Sequence, residues 1–287
     1  MVTVLLMGSV ARSAANGQDK PAPTLGPPPA GKVQRITLSD GNQLIGRIVA
    51  VTDSTIQFES GFGISTIARG LIVKIREEAP GTTRNGKYYF PNPNATRLLF
   101  APTGRMLEKG EGYFADHYIF LPSFAVGISD AFTLGGGISV FPGAGLDEQL
   151  WYVTPKIGLV QGPDFNFAVG AWAGSIPAAD EFSTMGILYG VGTWGKPDGT
   201  FSAGLGYGFA DGRLATRPSL MFGAEGRSSP RVSFVTENHF FPGGFALLSG
   251  GLRFFGPGFS ADFAALGFAG DGEGFCCFPF LGVLWKW

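Results

Sequence analysis

The chain has 287 residues, of which 45% are hydrophobic and 15% charged, with a formal net charge of −1. A charged fraction well below the roughly 25% of ordinary soluble domains points to a surface that largely does not face water. Near-neutrality and the lack of a basic cluster argue against nucleic acid as a partner, and the lack of a run of about 18 apolar residues after the N-terminus excludes a transmembrane helical bundle.

In chain order, Val2–Val10 is a short apolar run, and Ser13-Ala14-Ala15 before Asn16-Gly17-Gln18 fits a small-x-small cleavage site. Residues 1–18 are therefore expected to be a signal peptide, truncated in that its basic n-region is missing. No cysteine stands near the junction, so no lipid anchor is expected there. Residues 19–31, with five prolines between Pro21 and Pro29, form an extended linker.

Residues 32–77 break into short β-runs at 33–38, 43–51, 55–59, 64–68 and 71–75, the first pair joined by the turn Ser39-Asp40-Gly41-Asn42. The succession Ile36-Thr37-Leu38-Ser39-Asp40-Gly41-Asn42-Gln43-Leu44-Ile45-Gly46-Arg47-Ile48 resembles the first motif of the Sm-like fold, with its Asp-Gly turn and Gly-bearing bent second strand. Thr55-Ile56-Gln57-Phe58 and Ile72-Val73-Lys74-Ile75 are similar to its later strands. The resemblance implies a small five-stranded barrel. It does not carry over RNA binding, because a recognisable RNA-contacting Asn in a basic setting is missing. A periplasmic spacer or docking module, with a periplasmic protein as its partner, is the expectation.

Residues 78–94 read as a second linker rich in turn formers. From 95 to 287 the pattern is uniform, with segments at 97–107, 113–128, 132–141, 150–160, 165–174, 185–194, 200–210, 218–225, 231–240, 245–254, 260–268 and 278–287. Each is near the ten residues that a tilted membrane strand needs, and their number is even, as in single-chain bacterial barrels. Pro102, Pro122, Pro155 and Pro279 each remove a ladder donor, which leaves the count between ten and twelve.

Alternation separates the two faces of a strand. Phe132, Leu134, Gly136, Ile138 and Val140 oppose Thr133, Gly135, Gly137 and Ser139, while Phe201, Ala203, Leu205, Tyr207 and Phe209 oppose Thr200, Ser202, Gly204, Gly206 and Gly208. A soluble sheet places Lys, Glu and Arg on its polar face; here that face is small, which suits the narrow interior of a closed sheet with its large side chains toward lipid. The fold class expected is all-β: a transmembrane antiparallel β-barrel of about twelve strands behind the small Sm-like one. Leu281, Val283, Trp285 and Trp287 share one face of the last strand. They resemble the C-terminal assembly signal of bacterial outer-membrane proteins, which implies the outer membrane, its lipid and the barrel-assembly machinery as location and partners. Tyr113, Trp151 and Trp194 fit aromatic girdles.

Inward faces assigned by alternation hold Arg97, Arg105, His117, Lys156, Glu225, Glu237, His239, Arg253, Asp262 and Lys286. Both signs are present, so mutual pairing that holds the interior together is favoured over a charge-selective passage. Three functions follow in order: a passive pore or small-solute binding barrel, a non-transporting membrane anchor, and a lipid-modifying hydrolase. The last is disfavoured. His117 and Ser123, read on one strand, stand about 20 Å apart, too far for a nucleophile and base, and Glu237 and His239 have no nucleophile beside them. No catalytic residue, cofactor or metal site is expected, since two histidines make a His-based metal site improbable and no helix follows Gly135-Gly136-Gly137 to form a phosphate loop. Cys276 and Cys277 are adjacent and carry no expected chemistry.

Overall fold

In the computed structural model, period-two patterns become antiparallel strands nearly everywhere they occur. The structure describes residues 25–27, 33–60, 63–78, 82–84, 87–178, 181–256, 258–270 and 273–287. The expected signal peptide and most of the Pro-rich linker lie outside them. The chain divides into two compact units between Pro80 and Gly81.

The first unit holds β1 (Val33–Leu38), β2 (Gln43–Val51), β3 (Thr55–Ser60), β4 (Gly63–Ala68) and β5 (Ile72–Glu78), with a 3-10 turn at Arg69–Leu71 before the last. They form one antiparallel sheet in the order β4-β3-β2-β1-β5. Alternation sends Ile36, Ile48, Ile56, Phe58, Ile67 and Ile75 into one core, each burial contributing roughly 1.5–3 kcal/mol. The β1–β2 turn forms as its residues require: Gly41 takes φ 83°, and Asp40 Oδ1 accepts the Asn42 amide at 2.9 Å. Those bonds to Asn42 hold the Asp40 carboxyl below its ordinary range. Gly46 lets β2 bend over β3, because a Cβ there would lie 2.0 Å from the Glu59 carbonyl oxygen.

The second unit begins with a two-stranded ribbon, β6 (Thr82–Arg84) and β7 (Lys87–Tyr89), where the sequence suggested a linker. Next come β8 (Gly112–His117), β9 (Leu121–Ser129), β10 (Phe132–Ile138), β11 (Trp151–Gln161), β12 (Phe165–Ala178), β13 (Glu181–Lys196), β14 (Gly199–Ala210) and the two-residue β15 (Arg213–Leu214). The series ends with β16 (Ser219–Ser229), β17 (Val232–Phe240), β18 (Ala246–Gly256), β19 (Phe259–Gly270) and β20 (Glu273–Lys286). Apart from β15, which only extends the end of β14, these twelve strands pair each with the next, and β20 pairs back onto β8 through Gly282↔His117 to Lys286↔Tyr113. The sheet is closed and has twelve strands.

That total agrees with the sequence count through two compensating differences. The segment at 97–107 is not a wall strand, and the one at 113–128 is a hairpin, β8 and β9, turned by Tyr118 and Ile119 in left-handed conformation at φ 57° and 71°. The prolines are absorbed: Pro102 lies outside the wall, the β11–β12 ladder skips Pro155, and Pro279 sits beside a register shift at Leu266/Gly267.

Large side chains cover the outside, with Phe124, Phe201, Phe234 and Phe263 each about half exposed. Trp151 and Trp194 join them at opposite ends of the wall, whereas Tyr113 points inward under the Arg97 guanidinium and belongs to no girdle. Connections at the end that carries Gly112 and Lys286, here the terminal end, are short: 130–131, 162–164, 197–198, 230–231 and 257–258. Those at the far end include 139–150 and 211–218. Cys277, expected from the sequence to be a loop or strand-entry residue without chemistry, lies within β20 at φ 126° and is disulfide-bonded.

Candidate functional site

The lumen of the barrel is occupied by its own chain. Residues 92–107, of which 97–107 were expected to be a strand, fold back inside as a short hairpin with its turn at Leu98–Ala101: Leu98 N donates to the Ala101 carbonyl at 2.8 Å and Thr103 N to that of Thr96 at 2.9 Å. The hairpin enters and leaves at the terminal end. On the way in, Arg227 Nη2 donates to the Phe90 carbonyl at 2.8 Å and the Arg231 guanidinium lies 5.2 Å from the Phe90 ring. On the way out, Lys109 N donates to Asp130 at 2.8 Å. The sequence carried a signal for this in Pro91, Pro93, Pro102 and Gly104, turn formers that an uninterrupted strand would not tolerate.

The small inner face seats the hairpin. A Cβ on Gly223 would stand 2.2 Å from Leu98 Cδ1, one on Gly127 would meet the Glu108 carbonyl oxygen at 2.2 Å, and one on Gly158 would meet Met106 at 2.6 Å. Leu98, Leu99 and Ala101 then pack with wall residues Ala168, Val191, Met221, Val235, Leu266 and Phe280 in one buried cluster. Backbone groups of the hairpin cannot pair with a sheet, so wall side chains must satisfy them.

Arg253, fully buried, satisfies three of them. Its Nε and Nη2 bind Asp262 at 2.7 and 2.9 Å, and Nη1 binds Glu225 at 2.7 Å. The same nitrogens donate to the hairpin carbonyls of Leu98 (2.6 Å), Asn94 (3.4 Å) and Arg97 (3.5 Å). Asn92 donates to both Glu225 oxygens, and Asn94 to Asp262. On the opposite wall Lys156 Nζ donates to the carbonyls of Thr96, Thr103 and Arg105 at 3.3, 3.3 and 2.7 Å. At the tip, one Glu237 oxygen accepts the amides of Phe100 and Ala101, both at 2.9 Å, while the other lies 2.8 Å from His239 Nε2. Thr193 and Gln161 complete the clamp at Gly104.

Of the residues singled out from sequence, Lys156, Glu225, Glu237, Arg253 and Asp262 thus converge on the hairpin. Arg97 and Arg105 are not on the wall but on the hairpin itself, because the strand that would have carried them does not form. Lys286 sits at the terminal rim, paired with Glu111 at 2.8 Å. Sequence reasoning missed Asn92, Asn94, Gln161 and Thr193, whose polar side chains acquire partners only once the hairpin is inside. His117 and Ser123 lie on neighbouring strands, not on one, but Ser123 Oγ donates to the Ala115 carbonyl at 3.3 Å and not to His117. Glu237 is engaged as a cap for the hairpin tip. Neither arrangement presents a nucleophile to a base.

Between the hairpin tip and the wall of β8–β13 a cavity of about 190 Å³ remains, lined among others by Arg97, Phe100, His117, Thr133, Tyr152 and Lys156. A second of about 200 Å³ shares Phe100, Pro102, Trp172 and Tyr189 with it. That one in turn shares Trp172, Ile187, Ser219 and Phe241 with a vestibule of about 1100 Å³ at the far end. The lumen is a cup, open away from the end that carries Gly112 and Lys286 and floored by the hairpin.

The chain is similar in structure to outer-membrane proteins. A KdgM porin solved in complex with disordered oligogalacturonate is 9% identical with a TM-score of 0.46, over 61% of this chain and 96% of its own. OccK5 (OpdH) of Pseudomonas aeruginosa is 9% identical with a TM-score of 0.36, over 89% and 95%. A loop-deletion form of OmpT, an outer membrane protein of Vibrio cholerae, is 12% identical with a TM-score of 0.33, over 89% and 96%. No family model matches the sequence, and neither does any curated protein.

Proposed function

We propose that the protein is an outer-membrane barrel that binds a small solute in a cup facing the cell exterior, with its passage closed by the lumen hairpin. The observation that carries this reading is the clamp: Arg253, Lys156 and Glu237 together satisfy eight backbone groups of the hairpin, namely the carbonyls of Asn94, Thr96, Arg97, Leu98, Thr103 and Arg105 and the amides of Phe100 and Ala101. An open pore has no use for so many buried polar bonds across its axis. The apolar exterior of a closed sheet supports a lipid setting, because a sheet without edges pairs its strand amides with one another and not with water. Connections of two or three residues throughout the terminal end, with the two longest, 139–150 and 211–218, at the far end, fit periplasmic and external sides.

In the same reading residues 1–18 direct export, and the barrel-assembly machinery reads Leu281, Val283, Trp285 and Trp287. The Sm-like unit then stands in the periplasm as a docking module for a protein partner. The test is conductance in a planar bilayer. The intact chain should stay closed or nearly so, and a chain lacking residues 96–104 should give large, discrete steps. Equal steps from both would refute a closing hairpin and leave a plain pore.

A further inference from the structure

The charges of the clamp do not balance on the side that faces the cup. Glu225 and Asp262 are both turned to Arg253, and Glu237 is taken up by two hairpin amides and His239. Two cations remain on the cavity wall, Arg97 and Lys156, and no Asp or Glu lines that cavity. Lys156 has three carbonyl acceptors. Arg97 places Nε on Asn94 Oδ1 at 3.0 Å and its guanidinium 5.3 Å from the Tyr113 ring, but has no carboxylate among the described residues. An arginine that is 8% exposed and lacks an anion is costly unless an anion arrives.

Two further features of the same cavity point to a ligand. Thr133, 5% exposed, has a buried hydroxyl with no hydrogen-bond partner. Phe100 at the hairpin tip is 41% exposed although it stands inside a barrel, its ring held edge-on by Phe280 and His117 at 4.7 and 5.0 Å. A fixed aromatic face, a fork of guanidinium donors and a free hydroxyl around some 190 Å³ make a site for a ring that carries an acid group.

We infer that this cavity binds a small organic anion, an oxyanion head on a single ring, with Arg97 on the head and Phe100 and Tyr152 on the ring. The inference rests on the reading of the lumen as a binding cup and adds the ligand's charge and size. Titration calorimetry on the full chain folded in zwitterionic detergent tests it with benzoate, phenyl phosphate and the neutral isostere benzamide. Benzoate is expected to bind at least tenfold more tightly than benzamide, with chloride competing. Phenyl phosphate separates the heads: binding tighter than benzoate assigns a phosphate-type ligand, and weaker binding a carboxylate. R97Q should abolish the preference for the anion and R97K should keep part of it. T133V, which leaves the clamp untouched, should weaken benzoate severalfold whether or not R97Q folds. Equal binding of benzoate and benzamide, or no binding of any of the three, overturns the inference. Bilayer conductance judges the closing hairpin separately, so the two failures are told apart.

Discussion

Replacing Arg253 with Met keeps the volume of the side chain and removes every polar contact it makes. Two bonds to Asp262, one to Glu225 and three to hairpin carbonyls are lost in a site that is fully buried. Breaking a buried ion pair by deleting one partner costs about 3–5 kcal/mol, because the remaining charge is stranded; here two carboxylates are stranded, and Asn92 and Asn94 relieve them in part. Taking about 4 kcal/mol against the hairpin-in state shifts its equilibrium about a thousandfold. In a planar bilayer R253M should therefore open frequently where the wild type stays closed, and its heat-induced mobility shift on a gel should come at a lower temperature. Removing the acids too, as R253M/E225M/D262L, should restore much of the lost stability, because a well-packed apolar set can replace a buried ion network. If R253M alone is as closed and as heat-stable as the wild type, the clamp does not hold the hairpin.

Seating can be tested at Gly223. G223A should destabilise the barrel, since its Cβ would meet Leu98 at 2.2 Å and the Thr236 carbonyl at 2.7 Å, and L98A alone should cost about 2–5 kcal/mol. Combined, the two should fall short of additivity by about 0.5–3 kcal/mol in urea titrations; simple additivity would place Leu98 elsewhere. In the first unit I36A, at a position with no exposure, should cost about 2–5 kcal/mol. Limited proteolysis of the full chain should then cut within 33–78 while the barrel remains intact, and loss of both together would mean that the units fold as one.

The walls of both units were legible because a strand writes its two faces into alternate residues, as in Phe201–Ala210, where the inner positions Ser202 and Gly204 and the outer positions Phe201 and Leu205 come out as read. The hairpin was not, for a physical reason. Leu98, Leu99 and Leu107 are as apolar as a strand segment, and their burial against a wall is indistinguishable in sequence from burial in lipid. Only Pro102 and Gly104 argued otherwise, and Pro122, Pro155 and Pro279 show that prolines do occur within wall strands. The Tyr118–Ile119 turn was hidden too, because neither residue is a customary occupant of left-handed backbone. Charged positions were found by alternation, but their partners were not, since alternation is silent about what fills a lumen.

The seam between β8 and β20 joins residues separated by most of the barrel's sequence, and the hairpin immediately precedes β8. It is therefore made before any wall strand, yet its anchors Glu225, Arg253 and Asp262 come from strands made last. Arg253 faces the lumen, and it gains its carbonyl partners on Asn94, Arg97 and Leu98 only when the early segment lies among strands made late. The two ends of the barrel's sequence are thereby tied through its axis as well as through its seam, and the early segment seals a wall that can close without it.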